Sequence, residues 1–223
     1  MDDKYEVNSY GRQLTEEEIR TGGHRQYVGG AWEEIGLLQF EYLCQQGLRP
    51  QHFLLDVGCG ALRGGLHFTR YLEESHYYGI DINASLIEAG ERELREAGLV
   101  YKRPQLAVSR KFEFSQFGRQ FDFALAQSVF THLPFNHILR CLIEIRKVLS
   151  PSGTFYATFF EAPESGHLAE IAHPGGALTH YDEDAYHQSW EEVQWMAKVA
   201  RMQVKLIGDW QHPRNQRILA FSL

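Results

Sequence analysis

The chain has 223 residues, of which 43% are hydrophobic and 23% are charged, a composition typical of a folded protein with a sizeable core. Its formal net charge of −7 argues against a nucleic-acid partner, because proteins that bind nucleic acids usually present a basic face. The sequence has neither the roughly 18 consecutive apolar residues of a membrane helix nor a signal-peptide pattern at its start, so we expect a cytoplasmic protein without membrane contact.

Residues 1 to 30 are polar and interrupted by glycines, which favours an extension outside the core. Residues 31 to 46 then place apolar side chains on one helical stripe, and Gly47 and Pro50 mark its end. We therefore predict a helical N-terminal extension over residues 1–48, followed by one domain over residues 49–223. Glycines mixed with polar and aromatic side chains between Thr21 and Trp32 favour a lid that closes over a bound ligand.

The stretch from Phe53 to Asn83 reads as strand, glycine-rich turn, helix and strand. Because glycine has no Cβ, Gly58 and Gly60 let the backbone turn tightly and approach a ligand. Asp81 follows about 20 residues later at the end of the second strand, where a carboxylate can accept hydrogen bonds from ribose hydroxyls. These features predict a ligand that contains adenosine.

Two details decide which adenosine derivative fits. A dinucleotide-binding fingerprint has a third glycine where this chain has Arg63, and the Asp56 carboxylate would repel a pyrophosphate. The motifs DVGCG and GIDIN together resemble the first motif and the acidic loop of class I S-adenosylmethionine (SAM)-dependent methyltransferases. The resemblance implies that the first motif borders the methionine part of SAM and that the acid of the second strand binds its ribose. The cofactor contacts implied for this half of the domain are Asp56, Gly58, Cys59, Gly60, Arg63, Asp81 and Ile82.

Substitutions of glycine should separate the turn from the helix that follows it. We expect Gly58→Val to abolish binding, because a β-branched side chain would enter the turn that faces the ligand. We expect Gly65→Ala to impair binding less, because only Gly58→Val puts a β-branched side chain into the turn that faces the ligand.

The rest of the chain alternates helices and strands. The patterns predict a helix over residues 84–98, strands at Gln105–Val108 and Phe121–Ala126, and a helix that SPSG stops before a strand over residues 154–160. Asp182 is predicted to cap a long helix, and residues 204–210 and 216–223 to form an antiparallel hairpin. The predicted fold class is α/β, a Rossmann-like, seven-stranded, mostly parallel sheet with helices on both faces and an antiparallel C-terminal hairpin. That hairpin extends the methyltransferase resemblance to residues 50–223.

Ligands of parallel sheets bind at the carboxyl ends of the strands. The segment AQSVFTHLP after the fourth strand resembles the methyltransferase segment that borders the methionine side of SAM, which implies contacts from Gln127 and Ser128. After the third strand, where the family often has an acid for the adenine amino group, this chain has the sequence SRK. Phe112 is then a candidate to stack on adenine, with a plain core role as the alternative.

The loop from Glu161 to Tyr181 is long for a connection of this kind and holds three histidines. Its histidines and acids lack the spacing of a zinc site, so we expect no metal and favour substrate contact or general-base catalysis. His132 and His180 are the candidate bases, because a neutral imidazole accepts a proton near neutral pH. A helix-capping or packing role for His132 is the alternative.

Methyl transfer from a sulfonium is a single in-line displacement and needs no covalent nucleophile. Consistent with this, the chain lacks a GxSxG elbow, a GKS/T phosphate loop and the paired cysteine spacing of zinc sites. We predict a SAM-dependent methyltransferase that methylates an oxygen or nitrogen of a small molecule or glycan and releases S-adenosylhomocysteine. The alternatives are a SAM-binding module without catalysis and an NAD-dependent oxidoreductase.

Overall fold

The strands form one large sheet and one small one in the computed structural model, which describes residues 8–223. In chain order the strands are β1 (Leu54–Val57), β2 (Tyr77–Asp81), β3 (Gln105–Val108), β4 (Phe121–Ala126), β5 (Leu149–Phe159), β6 (Ile171–Ala172), β7 (Leu178–Thr179), β8 (Gln203–Asp209) and β9 (Arg217–Ser222). The large sheet has the order β3–β2–β1–β4–β5–β9–β8, and β6 pairs with β7 alone. β1 is parallel to β2 and β4, whereas β9 is antiparallel to β5 and β8. The predicted seven-stranded, mostly parallel sheet with a C-terminal antiparallel hairpin is confirmed.

Seven α-helices accompany these strands in the described part of the chain. They are α1 (Glu16–Arg20), α2 (Gly23–Tyr27), α3 (Trp32–Gln45), α4 (Gly65–Tyr71), α5 (Ala84–Glu96), α6 (Phe135–Val148) and α7 (Trp190–Val199). α5 begins where Asn83 accepts a hydrogen bond from the Ser85 N–H, and it buries Leu86, Ala89 and Leu94 on one face. None of the helices within residues 8–223 combines the length and apolar character needed to cross a membrane.

The chain forms two compact units. The first unit consists of Arg12–Arg110 and Phe121–Leu125, and it contains α1 to α5, β1 to β3 and most of β4. The second unit consists of residues 8–11, Lys111–Gln120 and Ala126–Leu223, and it contains β5 to β9 with α6 and α7. The division into an extension over residues 1–48 and a domain over residues 49–223 stays a prediction.

The expectation that residues 1 to 30 lie outside the core is wrong for the described part of this segment. Leu14 and Ile19 are buried in one apolar cluster with Ala61, Leu86 and Ala89. α1 is fixed by a capping box in which Thr15 accepts from the Glu18 N–H and the Glu18 side chain accepts from the Thr15 N–H. Two buried apolar residues are too few to produce a readable helical period. Residues 1–7 lie outside the described residues.

Two predicted element boundaries are also wrong. The residues SPSG lie inside β5, which begins at Leu149 directly after α6. Pro151 is tolerated there because it is exposed and because β9 pairs only with Phe155–Phe159. α7 is capped by Ser189 rather than Asp182, since Ser189 and Glu192 form a capping box immediately before the helix.

Candidate functional site

The glycine turn after β1 and the acid at the end of β2 are in direct contact in the first unit. Gly58 and Gly60 have φ values of 67° and 54°, the left-handed region that glycine adopts without strain. The Gly60 N–H donates to Oδ2 of Asp81 over 2.9 Å, and the Asn83 N–H donates to Oδ1 over 2.8 Å. Asp81 is buried, which raises the pKa of its carboxyl, while the N–H groups of Asn83, Gly60 and Ile82 oppose that shift. The turn therefore presents an oriented carboxylate at the carboxyl ends of two adjacent strands.

Asp81→Ala is expected to weaken SAM binding by about 1 to 3 kcal/mol, because an ionised hydrogen-bond acceptor is lost from a buried position. Isothermal calorimetry with SAM measures this change. Asp122→Ala is the matched control, since Oδ2 of Asp122 also accepts a backbone N–H, that of Phe53, over 2.9 Å at the opposite ends of the strands. Unchanged SAM affinity in a folded Asp81→Ala variant would remove Asp81 from the site.

Asp56 is buried and has a partner on β2, since Oη of Tyr77 donates to its Oδ2 over 2.7 Å. Burial raises the pKa of Asp56 to about 7, although the hydrogen bond from Tyr77 lowers it. A Cβ added to Gly65 would lie 2.5 Å from Oη of Tyr77 and 2.9 Å from Leu62. Gly65 therefore makes room for the tyrosine that binds Asp56, and a methyl group there would disturb that contact. The expectation that Gly58→Val impairs binding more than Gly65→Ala stays a prediction.

The ionisation of Asp56 should make stability depend on pH. Its folded pKa lies above its unfolded value of about 4, so the stabilisation it gives is complete below about pH 4 and is lost as the pH rises through about 7. We expect Asp56→Asn to gain thermal stability relative to the wild type between pH 5 and pH 8, as measured by unfolding followed with circular dichroism. A melting-temperature difference between Asp56→Asn and the wild type that is constant over this range would contradict the prediction.

Cys59 and Arg63 complete the first-motif turn. The Cys59 thiol is buried, which raises its pKa, and its Sγ would lie 2.9 Å from a Cβ on Gly79. The sulfur thus packs against β2, and the Cys59 N–H donates to the carbonyl oxygen of Ile80 in the same strand over 3.1 Å. The Arg63 guanidinium donates to the carbonyl oxygens of Val28 and Gly30 over 3.1 and 2.9 Å. Arg63 therefore fastens the segment after α2 to the turn.

In the second unit, the turn after β4 is fixed by a buried hydrogen-bond network. Ser128 has a φ of 56°, which is unusual for a residue other than glycine. Its N–H donates to Oγ1 of Thr158 over 2.7 Å, and its hydroxyl lies 2.8 Å from Nε2 of Gln216. Oγ1 of Thr158 donates to Oε1 of Gln216 over 2.7 Å, and Gln127 contacts both the Ser128 hydroxyl and His212. Side chains from β5 and from the residue before β9 thus hold the strained turn in place.

His132 follows this turn and has a carboxylate partner. Its Nδ1 lies 2.5 Å from Oδ1 of Asp184, its ring meets the Tyr10 ring edge-on at 4.7 Å, and its carbonyl oxygen accepts from Nδ2 of Asn8. The Asp184 carboxylate favours the tautomer with the proton on Nδ1, which leaves Nε2 as a proton acceptor. Among the described residues, Nε2 has no hydrogen-bond partner. This geometry leaves one ring nitrogen of His132 able to accept a hydrogen bond or a proton.

His180 lies in a different environment. Its two ring nitrogens lie 3.9 Å from Glu170 and 3.8 Å from Glu183, so each faces a carboxylate. Its backbone pairs with residues 185 and 187, which supports the loop that carries Asp184. Within residues 8–223, no three histidine, cysteine, aspartate or glutamate side chains are grouped to hold a metal ion.

Phe112 adopts a φ of 58° and packs at a tilt against Phe114, with ring centroids 6.0 Å apart.

The predicted site residues are divided between the two units. Those from Asp56 to Ile82 belong to the first unit, and the second unit holds Phe112, Gln127, Ser128, His132 and His180. Sequence reasoning did not find Asp184 or Gln216. The acidic run DED before Ala185 is a signal that could have suggested a carboxylate partner for His132. No sequence pattern indicates Gln216.

Comparison with known proteins agrees with this architecture. A family model described as a methyltransferase domain matches residues 55–155. The chain is 27% identical over 139 residues to the uncharacterized methyltransferase YcgJ of Bacillus subtilis (strain 168). That match covers 62% of this chain and 51% of the relative, so the chain spans about half the length of YcgJ.

Solved structures of methyltransferases share the fold. The CcbJ methyltransferase from Streptomyces caelestis superposes with a TM-score of 0.70 at 12% identity, covering 98% of this chain and 99% of that one. The glycopeptide N-methyltransferase MtfA, solved with S-adenosyl-L-homocysteine, gives a TM-score of 0.64 at 12% identity, covering 84% of this chain and 90% of that one. Residues 55–155 thus match a methyltransferase domain, and the strand order of the large sheet, with the glycine turn and its acid, is that of the Rossmann-like fold of SAM-dependent methyltransferases.

Proposed function

We propose that the protein binds SAM through its first unit and transfers the methyl group to an oxygen or nitrogen of a small molecule or glycan, with His132 as the base. The observation that carries the proposal is the Asp81 carboxylate, held by the N–H groups of Gly60 and Asn83 beside the glycine turn. The glycopeptide substrate named for MtfA supports a sugar-bearing or peptide-like acceptor.

The residues of the turn fit SAM. A carboxylate oxygen that accepts one backbone N–H retains a lone pair, so Asp81 can also accept from ribose hydroxyls. At Gly60 a Cβ would occupy space next to the turn, 3.2 Å from Cγ1 of Val28, so only glycine leaves that space open. Arg63 stands where a dinucleotide-binding fingerprint has its third glycine, and its side chain instead binds the carbonyl oxygens of Val28 and Gly30, which disfavours a dinucleotide. When bound, SAM supplies an electrophilic methyl carbon on a positively charged sulfur.

Methyl transfer to an oxygen or nitrogen also requires a base, and His132 is the proposed one. As the acceptor attacks, its oxygen or nitrogen must lose a proton, which Nε2 of His132 receives while Asp184 stabilises the resulting imidazolium. The protein otherwise contributes orientation and exclusion of water. Gln127, Ser128 and Phe112 are proposed as further cofactor contacts, and His180 as a second, less favoured base.

The experiment that tests the proposal has two stages. Calorimetry with SAM and with NAD on the wild type separates a methyltransferase from an oxidoreductase. Pools of hydroxyl- and amine-bearing metabolites and glycans are then incubated with SAM, and S-adenosylhomocysteine formation is measured by mass spectrometry. NAD binding without SAM binding would overturn the proposal, and SAM binding without turnover on any pool would favour the non-catalytic alternative.

A further inference from the structure

The segment of residues 12–30, named here the strap, packs against the residues that hold Asp81. A Cβ on Gly60 would lie 3.2 Å from Cγ1 of Val28, so the Val28 side chain lies directly against the first-motif turn. The carbonyl of Val28 is bonded by Arg63 from the same turn. The strap therefore contacts the turn through both its side chains and its backbone.

The strap also contacts the other residue that orients Asp81. Nδ2 of Asn83 donates to the carbonyl oxygen of Arg12 over 2.7 Å, and Oη of Tyr27 donates to the same oxygen over 3.3 Å. Burial raises the pKa of Tyr27, and the charge of Arg12 opposes this rise. Tyr27 and Val28 also pack against the apolar cluster that includes Ala61 and Leu86, so both strap residues lie next to elements that carry Gly60 and Asn83.

A buried carboxylate on α5 binds the strap directly, at a point away from the first-motif turn. Glu93 accepts from Nε of Arg25 over 2.7 Å and from a second guanidinium nitrogen over 2.8 Å, and it lies 2.7 Å from Nε2 of His24. The guanidinium also lies 5.1 Å from the Trp32 ring centroid. Burial alone would raise the pKa of Glu93, but the hydrogen bonds from His24 and Arg25 outweigh it and lower the pKa to about 2. Glu93 is therefore ionised across the physiological range and holds both strap residues.

Glu93 lies far along α5 from the first-motif turn. Glu93 lies ten residues along α5 from Asn83, which is about 15 Å at the rise of an α-helix. A substitution at Glu93 can therefore affect SAM binding only through the elements that it holds, and the strap residues His24 and Arg25 are its hydrogen-bond partners.

We propose that the strap forms a wall of the SAM site, with Tyr27 and Val28 towards the cofactor, and that Glu93 is the positioning residue that keeps this wall closed. The inference rests on the proposed function, since it takes SAM as the ligand. Exchange of SAM then requires the strap to open, so the strength of the Glu93 contacts sets the rate of SAM dissociation.

The test measures SAM dissociation by stopped-flow displacement and backbone protection by hydrogen exchange. Glu93→Gln should accelerate dissociation about tenfold or more, since a charge-assisted hydrogen bond is worth at least that factor. It should also raise exchange in residues 23–30 while β1 stays protected. Glu96→Gln is the matched control, because Glu96 lies on the same helix but pairs with Arg92 at the surface.

Arg25→Gln serves as the second variant, because the Arg25 side chain is 44% exposed and its removal leaves the fold less affected than loss of a buried acid. Faster dissociation in either folded variant, with Glu96→Gln unchanged, supports the inference. Wild-type dissociation rates in the folded variants overturn it while the proposed function stands. Absence of SAM binding by the wild type overturns both.

Discussion

His132→Ala is expected to lower the turnover of methyl transfer by about 10² to 10⁴, with SAM affinity nearly unchanged, because a positioned base typically contributes that factor. The expectation rests on the contact between Asp184 and Nδ1 of His132, which leaves Nε2 to take the proton from the methyl acceptor. Turnover is measured as S-adenosylhomocysteine formation with an acceptor found in the screen, and SAM affinity by calorimetry.

The variants Asp184→Asn and His180→Ala show whether the loss of turnover is specific to His132 and its contact with Asp184. Asp184→Asn should reduce turnover by a smaller factor, because the imidazole remains but its tautomer is no longer held by a carboxylate. His180→Ala should have less effect than either, because both nitrogens of His180 face glutamates. Wild-type turnover in the His132→Ala/His180→Ala double variant would mean that orientation alone carries the reaction.

Gly60→Val is expected to abolish detectable SAM binding. A β-branched residue is strained at a φ of 54°, and its Cβ would press on Val28 at 3.2 Å, which displaces either the strap or the N–H that binds Asp81. Calorimetry with SAM and with S-adenosylhomocysteine measures the loss. Hydrogen exchange over β1 and β2 verifies that the sheet still forms.

Gly98→Val is the control for backbone strain. Gly98 has a φ of 67°, but a Cβ there meets no atom within 4 Å, so the substitution imposes the same conformational cost without a contact. It should lower stability and leave SAM affinity unchanged. Equal SAM affinities for the two folded variants would show that the turn does not approach the cofactor.

Local signals were sufficient for the first-motif half of the site. The apolar run of β1, the glycines and the acid of β2 lie within one stretch of 31 residues, Phe53 to Asn83, so their spacing alone predicts their contact. The structure adds the manner of that contact, since Gly60 binds Asp81 through its backbone N–H. α5 was predicted for the same reason, because its apolar period is strong.

The second half depends on contacts between distant parts of the chain. Asp184 lies 52 residues from His132, and Gln216 lies 88 residues from Ser128, so neither pair has a local pattern. The N-cap of α7 is a different case, because Ser189 and Glu192 have the capping-box spacing that identifies a helix start. That signal was present, and Asp182 was preferred because it is also a good capping residue type.

The contacts that hold the turn at Ser128 determine which neighbouring residues can change during evolution without moving the turn. Its unusual backbone is held by Thr158 and Gln216, which belong to the sheet and to the start of its last strand. The neighbouring loop contacts the following segment through the Asp184–His132 pair and through the bond from the Tyr186 N–H to the Thr131 carbonyl oxygen, which does not depend on side-chain identity. The exposed side chains of residues 163–178 take no part in these contacts, so we expect acceptor preference to change by mutation there while His132 and Asp184 keep their positions.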